Sequence, residues 1–472
     1  MGNNLSLSKL TLIYGVANIF SKGLTFVIFF VFTFFLKKEE IGAFDLILTS
    51  STLLVPLISL QLYDGILRWC LNEAHDSSEV SKVISGATIA VSLNVLIFSV
   101  AYWILALIIE IPFSLLIYLF LICQVFYTIV LQFARSRSLN FVYALSGVIY
   151  SGAFTLGALL VISISDFGLK GIIFANLFSS FLTLLFLTYK TQFISYFSFR
   201  VFDPSLLRSM LRYTVPLIPN QVSWWAISES NRYMILYFLG IAANGLFAIA
   251  MKFPNILLIL HLIFNQAWQE KVIRLYGMEG SRAYFDNVID KYLKLLLGLT
   301  ALAIGFSKLL LPFIVNQSYF EVGQYLPVFY YAVCFQALGS FYGGGYLAAK
   351  KTTGAFYTTV IGALVNITLN LILIPYLGLL GCAISLLVGN IVLFVARYFH
   401  SRSFFEITFP IKSLFVNLVF IILFGICSIS GMFWVQLLNA FGCVVYFTYL
   451  NRKMIHSGIR FGLSRMTKVA EN

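Results

Sequence analysis

The sequence predicts an all-α protein threaded repeatedly through a membrane, with about fourteen transmembrane helices: two six-helix lobes related by parallel duplication, plus two C-terminal helices. Three observations carry this. Of 472 residues, 60% are hydrophobic and only 10% charged, against about 25% charged in a soluble domain. The apolar residues come in runs of about twenty, the helix length that crosses a hydrocarbon layer of about 30 Å. Finally, Lys and Arg concentrate in alternate loops, the bias that orients membrane helices. A lone strand in lipid would leave its backbone polar groups unpaired, so each run is read as a helix.

The first run, about Leu10 to Leu36, exceeds a signal-peptide core of about 7–15 residues and has no small-residue cleavage site after it, so a retained span is expected. Charges and turn residues then place the span centres near 23, 55, 95, 123, 152, 181, 226, 258, 304, 338, 364, 390, 420 and 441. With the N-terminus and even-numbered loops on the cytoplasmic side, only Lys37, Lys38 and Lys170 fall outside, and Lys22, Arg232, Lys252 and Lys308 lie within spans. The remaining basic residues, from Arg68, Lys82, Arg135 and Arg137 through Arg397 and Arg402 to the tail from Arg452 to Lys468, are all cytoplasmic. Both termini are therefore expected in the cytoplasm of a multi-pass inner-membrane protein. The net charge of +13 follows from this topology and needs no nucleic-acid partner. Six scattered cysteines, with no paired spacing, argue against a metal or disulfide framework.

Two cytoplasmic segments read as interfacial helices. Asp203-Pro204 supplies an N-cap and a first-turn proline, and Leu206, Leu207, Met210 and Leu211 then alternate with Arg208 and Arg212. Ser281 to Lys294 shows a weaker version of the same pattern.

Three short matches recur in order. Phe35-Leu36 with Gly42-Ala43-Phe44 echoes Phe238-Leu239 with Gly245-Leu246-Phe247; Ala134-Arg135 echoes Ala349-Lys350; Gly168-Leu169-Lys170-Gly171 echoes Gly378-Leu379-Leu380-Gly381. They predict a duplicated six-span unit, and an even span count gives both copies one orientation. The expected divisions are a first lobe over residues 1–198, an interfacial linker over 199–213 and a second lobe over 214–400. Helices 13 and 14 over 401–451 and a basic tail over 452–472 complete the chain.

Ionisable residues at mid-bilayer cost about 2.5–3.5 kcal/mol on insertion scales, so they tend to face a wet cavity or a partner. Lys22 lies in span 1 with Asn18 and Thr25 a turn away; Glu229 and Arg232 share a face of span 7 with Trp225; Lys252 lies in span 8 with Asn255 beside it and His261 deeper in. Two accounts fit Glu229–Arg232, a neutralised intrahelical pair or part of a cavity, and a lone His261 in a span is more often a satisfied packing residue. Lys308 reads as a snorkelling residue. A cavity lined by three cations and one acid suits an anion, phosphate above all. Pro56, Pro216, Pro219 and Pro254 are expected to bend helices around it.

No phosphate-binding glycine loop precedes a lysine, and no DxD, HExxH or GxSxG motif occurs. Gly343-Gly344-Gly345 in span 10 is better explained by close helix approach. The outer loops are short, the longest about Asn316 to Leu326, which leaves little room for an enzyme's sugar-binding domain. No enzyme, cofactor or metal is expected.

The stretch Ser230-Asn231-Arg232-Tyr233, Asn244-Gly245-Leu246-Phe247-Ala248, Lys252-Phe253-Pro254-Asn255 and Phe264-Asn265-Gln266-Ala267-Trp268-Gln269-Glu270 resembles the signature of Wzx-type O-antigen and polysaccharide repeat-unit flippases. Their superfamily, MOP, also holds MATE drug exporters and the lipid II flippase MurJ. The resemblance implies a MATE/MurJ-like fold and an undecaprenyl-pyrophosphate-linked oligosaccharide moved from the cytoplasmic to the periplasmic leaflet. It also implies, as partners, the lipid bilayer, a polysaccharide polymerase and a chain-length regulator. The anion-binding role would fall to Lys22, Arg232 and Lys252, with Arg68 at the cytoplasmic mouth of span 2, and ion or proton coupling to Glu229 or His261. Where the family pattern has Asp-Arg, this chain has Asn231-Arg232, so a mechanism needing an acid there would have to use Glu229. Two competing expectations are a cation-coupled drug exporter, whose cavity should be acidic, and a membrane polymerase, which needs a large external loop.

Overall fold

The computed structural model describes residues 21, 23–72, 77–164 and 168–470. Among these there is no strand. The helices are α1 (Gly23–Phe35), α2 (Lys38–Ile58), α3 (Leu62–Asn72), α4 (Ser77–Ile108), α5 (Ser114–Ser136), α6 (Asn140–Ile164), α7 (Gly168–Thr191), α8 (Pro204–Thr214), α9 (Leu217–Leu239) and α10 (Ile241–Leu275). There follow α11 (Ser281–Ile314), α12 (Leu326–Ala348), α13 (Thr352–Leu377), α14 (Leu379–Ser401), α15 (Ile411–Ile429) and α16 (Phe433–Ala470). Each predicted span centre falls on one of them. Eleven are long and apolar enough to cross a membrane. α9 and α12 have the length, at 23 residues each, but dilute their apolar run with Glu229 and Arg232 in one and tyrosines and glycines in the other.

The chain divides into two compact units, Met1–Ser230 and Asn231–Asn472. In the first, α7 packs on α5 and α6, and α2 packs on α5; in the second, α14 packs on α12 and α13, and α10 packs on α12. The joints match as well. Ser138 between α5 and α6 has φ 56°, and Lys350 between α12 and α13 has φ 57°. Gly168 opening α7 has φ 47°, and Gly378 before α14 has φ 58°. A left-handed backbone costs a non-glycine residue about 1–2 kcal/mol, so its recurrence at equivalent joints marks an inherited geometry. Gly168 is doubly constrained, because a Cβ there would collide with the Glu40 carboxylate. Glu40 Oε1 instead accepts from Leu169 N at 3.0 Å, an anion on the amide end of α7.

Proline effects are mixed. Pro56 lies two residues before α2 ends, and Leu60 and Gln61, at φ 52° and 53°, turn the chain into α3. A helix break inside a membrane leaves carbonyls to be satisfied by neighbours. Asn94 of α4 does this, its Nδ2 donating to Leu57 O at 3.1 Å and Ile58 O at 2.7 Å. Asn94→Leu should therefore cost about 1–3 kcal/mol, measured as a fall in thermal stability of the purified protein; an unchanged melting point would mean that water or lipid headgroups replace the amide. Pro254, by contrast, sits inside an unbroken α10, and Pro216 and Pro219 lie at the start of α9, where a missing N–H is tolerated. At Pro216 and Pro219 the expected bends give way to an ordinary helix start.

α8 is the amphipathic helix expected from its cap. Asp203 Oδ1 accepts from Ser205 N at 2.8 Å and Leu206 N at 3.2 Å, with Pro204 in the first turn. These bonds, together with one from the Ser205 hydroxyl, hold the Asp203 carboxyl below its ordinary 3.8. Met210 is fully buried beside Gly65 of α3, and α8 packs on α3 and α4. The second expected interfacial helix is no separate element. Residues 281–297 contain neither glycine nor proline, so Ser281–Lys294 simply opens the 34-residue α11.

Glycines set the packing of the second unit. Successive residues on a helix point about 100° apart, so Gly343, Gly344 and Gly345 face three neighbours: Arg397 of α14, the Trp268 indole of α10, and the Phe405 ring. Close approach is indeed the run's purpose. α11 and α16 pack antiparallel in the same way. A Cβ on Gly305 would lie 2.7 Å from Cys443 Sγ, and one on Gly298 would lie 2.7 Å from Asn451 Nδ2.

Candidate functional site

The acid and the cation of span 7 lie on α9. Arg232 is half-buried on α9, its guanidinium carbon 5.6 Å from the centre of the Phe247 ring of α10. Phe247 itself is fully buried and set edge-on to Phe329, so the cation has a rigid platform. Glu229, one turn earlier, is half-buried, as is Lys252 on α10. Lys252 stands five residues beyond Phe247, about 7.5 Å along the helix axis, so Arg232 and Lys252 occupy neighbouring levels of the second unit. Lys22 lies outside the described residues.

Two other predicted residues sit elsewhere. His261 is fourteen residues beyond Phe247, about 21 Å along α10. It is buried, and its Nδ1 shares a 2.6 Å hydrogen bond with the Tyr292 hydroxyl. Around it runs an aromatic stack: Phe264 on Tyr292 at 4.2 Å, and Trp268 on Phe341 at 4.2 Å. Trp268 Nε1 donates to Phe341 O at 2.9 Å. The Phe264 and Trp268 of the sequence signature thus join α10 to α11 and α12, and His261 packs with them. Its Nε2, also buried, has no hydrogen-bond partner among the described residues. Arg68 is exposed on α3 and lies 4.2 Å over the Tyr213 ring of α8. It therefore ties α8 to the first unit. Lys308 Nζ donates to Ile429 O at 2.7 Å and Ser430 O at 2.9 Å, closing the carbonyl end of α15.

Sequence reasoning missed two buried polar clusters. Asn231, fully buried on α9, accepts a 2.5 Å hydrogen bond from Asn370 Nδ2 of α13, and Asn370 also reaches Asn366 Oδ1 at 3.3 Å. The position beside Arg232 is thus filled by a neutral amide bound to another amide. Arg397, assigned from sequence to a cytoplasmic loop, is instead buried in α14 with 8% of its surface exposed. Its Nη1 donates to Gly339 O and its Nη2 to Thr359 Oγ1, both at 2.9 Å. It joins α12, α13 and α14 through neutral acceptors. The face that α14 buries depends on helices far away in sequence, which no local signal reveals.

Among the described residues no three His, Cys, Asp or Glu side chains gather as metal ligands. What the spans offer chemically is fixed positive charge beside aromatic and amide groups, suited to holding an anion by charge-assisted hydrogen bonds. Solved structures share the fold. The chain is similar to a lipid II flippase MurJ in an inward closed conformation, with TM-score 0.69 and 16% identity over 94% of this chain and 100% of that one. It is also similar to an inward-facing multidrug resistance MATE family transporter of the MOP superfamily, with TM-score 0.65 and 17% identity over 85% and 96%. The chain thus shares the fold of these two structures, in a multi-pass integral membrane protein. No curated protein matches the chain. A family model for polysaccharide biosynthesis proteins matches residues 7–268, more than half its length, and the chain belongs to that family.

Proposed function

We propose that this chain is a flippase that carries oligosaccharide repeat units on undecaprenyl pyrophosphate, for O-antigen, capsule or another surface polysaccharide. It moves them from the cytoplasmic to the outer leaflet of the bacterial inner membrane by alternating access. The observation that carries this reading is the excess of cations over acids inside the spans of a polysaccharide biosynthesis protein. A pyrophosphate is the part of such a substrate least able to enter lipid, and Lys22, Arg232 and Lys252 are assigned to hold it, with Arg68 at the entrance. The lobes are assigned to 1–198 and 214–400 with an interfacial linker over 199–213, and both termini are assigned to the cytoplasm. Ion or proton coupling is assigned to Glu229 or His261. A polysaccharide polymerase and a chain-length regulator are the partners that would consume the product.

The likeness to a MATE transporter favours a second reading, a drug exporter. A cationic drug needs acids in its path, and the charge excess here has the opposite sign. One experiment separates the two. Deleting the gene should make complete lipid-linked repeat units accumulate and surface glycan disappear, both measured by mass spectrometry of extracted lipids and glycans. Normal glycan with altered drug sensitivity would overturn the flippase reading.

A further inference from the structure

α11 and α16 leave the apolar layer at the same level. The apolar run of α11 begins at Leu295, just after Lys294, and that of α16 ends at Leu450, just before Asn451 and Arg452. Between them is a cleft of about 590 Å³. Lys291 and Lys294 line one wall, and Arg452 and Lys453 the other. The cleft's one carboxylate, Asp290, is already bonded to Lys294 at 2.6 Å. Four cations against one acid leave a strong positive field.

The cleft is built rather than accidental. Asn451 is buried and donates to Lys294 O at 3.3 Å and Phe447 O at 3.1 Å. The absence of a side chain on Gly298 lets it sit there, so the two helices are pinned directly beneath the opening. The Arg452 guanidinium lies 5.2 Å from the centre of the Tyr449 ring. A tyrosine at this boundary is the residue type enriched at headgroup depth. Tyr449, Leu450 and Met454 give the cleft an apolar side, which a soluble phosphate would not use but a glycerol backbone would. Basic pockets between helices at the membrane surface are suited to phosphate headgroups.

We propose that this cleft binds the phosphodiester headgroup of an anionic membrane phospholipid and so fastens α16 to α11. It is formed by helices other than those carrying Arg232 and Lys252, and it rests on no assumption about what the protein transports.

The test uses the full chain, purified in detergent, stripped of lipid and titrated with dioleoyl phosphatidylglycerol, while native mass spectrometry and thermal melting are followed. Dioleoyl phosphatidylcholine and sodium pyrophosphate serve as comparisons. The triple variant Lys291→Gln/Arg452→Gln/Lys453→Gln removes only exposed side chains. Each basic residue near a membrane surface contributes about 1 kcal/mol, so the variant should need about 100-fold more phosphatidylglycerol for half-saturation. A control, Lys271→Gln/Lys350→Gln/Lys412→Gln, removes three exposed charges elsewhere and should bind as the unaltered chain does. Unchanged binding in the cleft variant, or an equal loss in the control, would overturn the site. Pyrophosphate stabilising the unaltered protein as well as the lipid does, with that stabilisation lost in the cleft variant, would overturn the lipid assignment.

Discussion

Cells carrying Arg232→Glu and Lys252→Glu will lose surface polysaccharide while keeping the protein in the membrane. At 4 Å and an effective dielectric constant of about 20, one charge pair is worth about 4 kcal/mol. Reversing a cation turns that attraction into repulsion, and about 4 kcal/mol already changes binding roughly a thousandfold. Both side chains are half-buried on α9 and α10, so solvent screens them incompletely. Lys22→Glu should behave alike if it shares their site. The readouts are surface glycan by gel and lipid-linked repeat units by mass spectrometry, normalised to protein in the membrane fraction. Lys252→Gln, which removes charge without adding any, covers the case of a Glu variant that fails to insert. Unaltered glycan in all of these variants, with the protein present, would end the anion-site assignment.

The second large effect is structural. Tyr331 of α12 donates its hydroxyl to Ile421 O of α15 at 2.9 Å, and the hydroxyl occupies the space above Gly425. A methyl group on residue 425 would land on that oxygen. Overpacking costs about 1–3 kcal/mol, and a displaced, unbonded buried hydroxyl about 1–3 kcal/mol more. Gly425→Ala should therefore destabilise by about 2–6 kcal/mol, seen as a lower melting temperature. Tyr331→Phe alone should cost about 1 kcal/mol, and added to Gly425→Ala it should restore much of the loss, because it removes the oxygen that collides. Strict additivity of the two changes would show that the hydroxyl and the methyl group never meet.

How much of this the sequence disclosed depends on the range over which each signal acts. The helices were legible because hydropathy acts over about twenty residues, and the α8 start because Asp203 caps amides two and three residues away. The purpose of Gly343-Gly344-Gly345 was legible in kind, though not its three neighbours. Long-range pairings were not: Asn231 meets a residue 139 positions away, and Asn94 repairs a break 36 positions before it. Arg397 was misplaced for the same reason. An arginine after an apolar run reads as a loop cation unless distant helices are known to cover it. The cationic residues of spans 7 and 8 were found because charge in an apolar run is conspicuous on its own. What Arg232 rests on, the Phe247 ring, was not.

The glycine-lined seam between α11 and α16 bears on how the protein is made. A ribosome delivers α11 well before α16, separated from it by α12 to α15. Until α16 arrives, Gly298 and Gly305 lack the helix that packs on their bare backbone. The arrival of α16 is thus recorded in the packing of one helix pair. Membrane proteases that survey nascent chains would find that seam open in any product ending before residue 433, and closed only in one that carries α16.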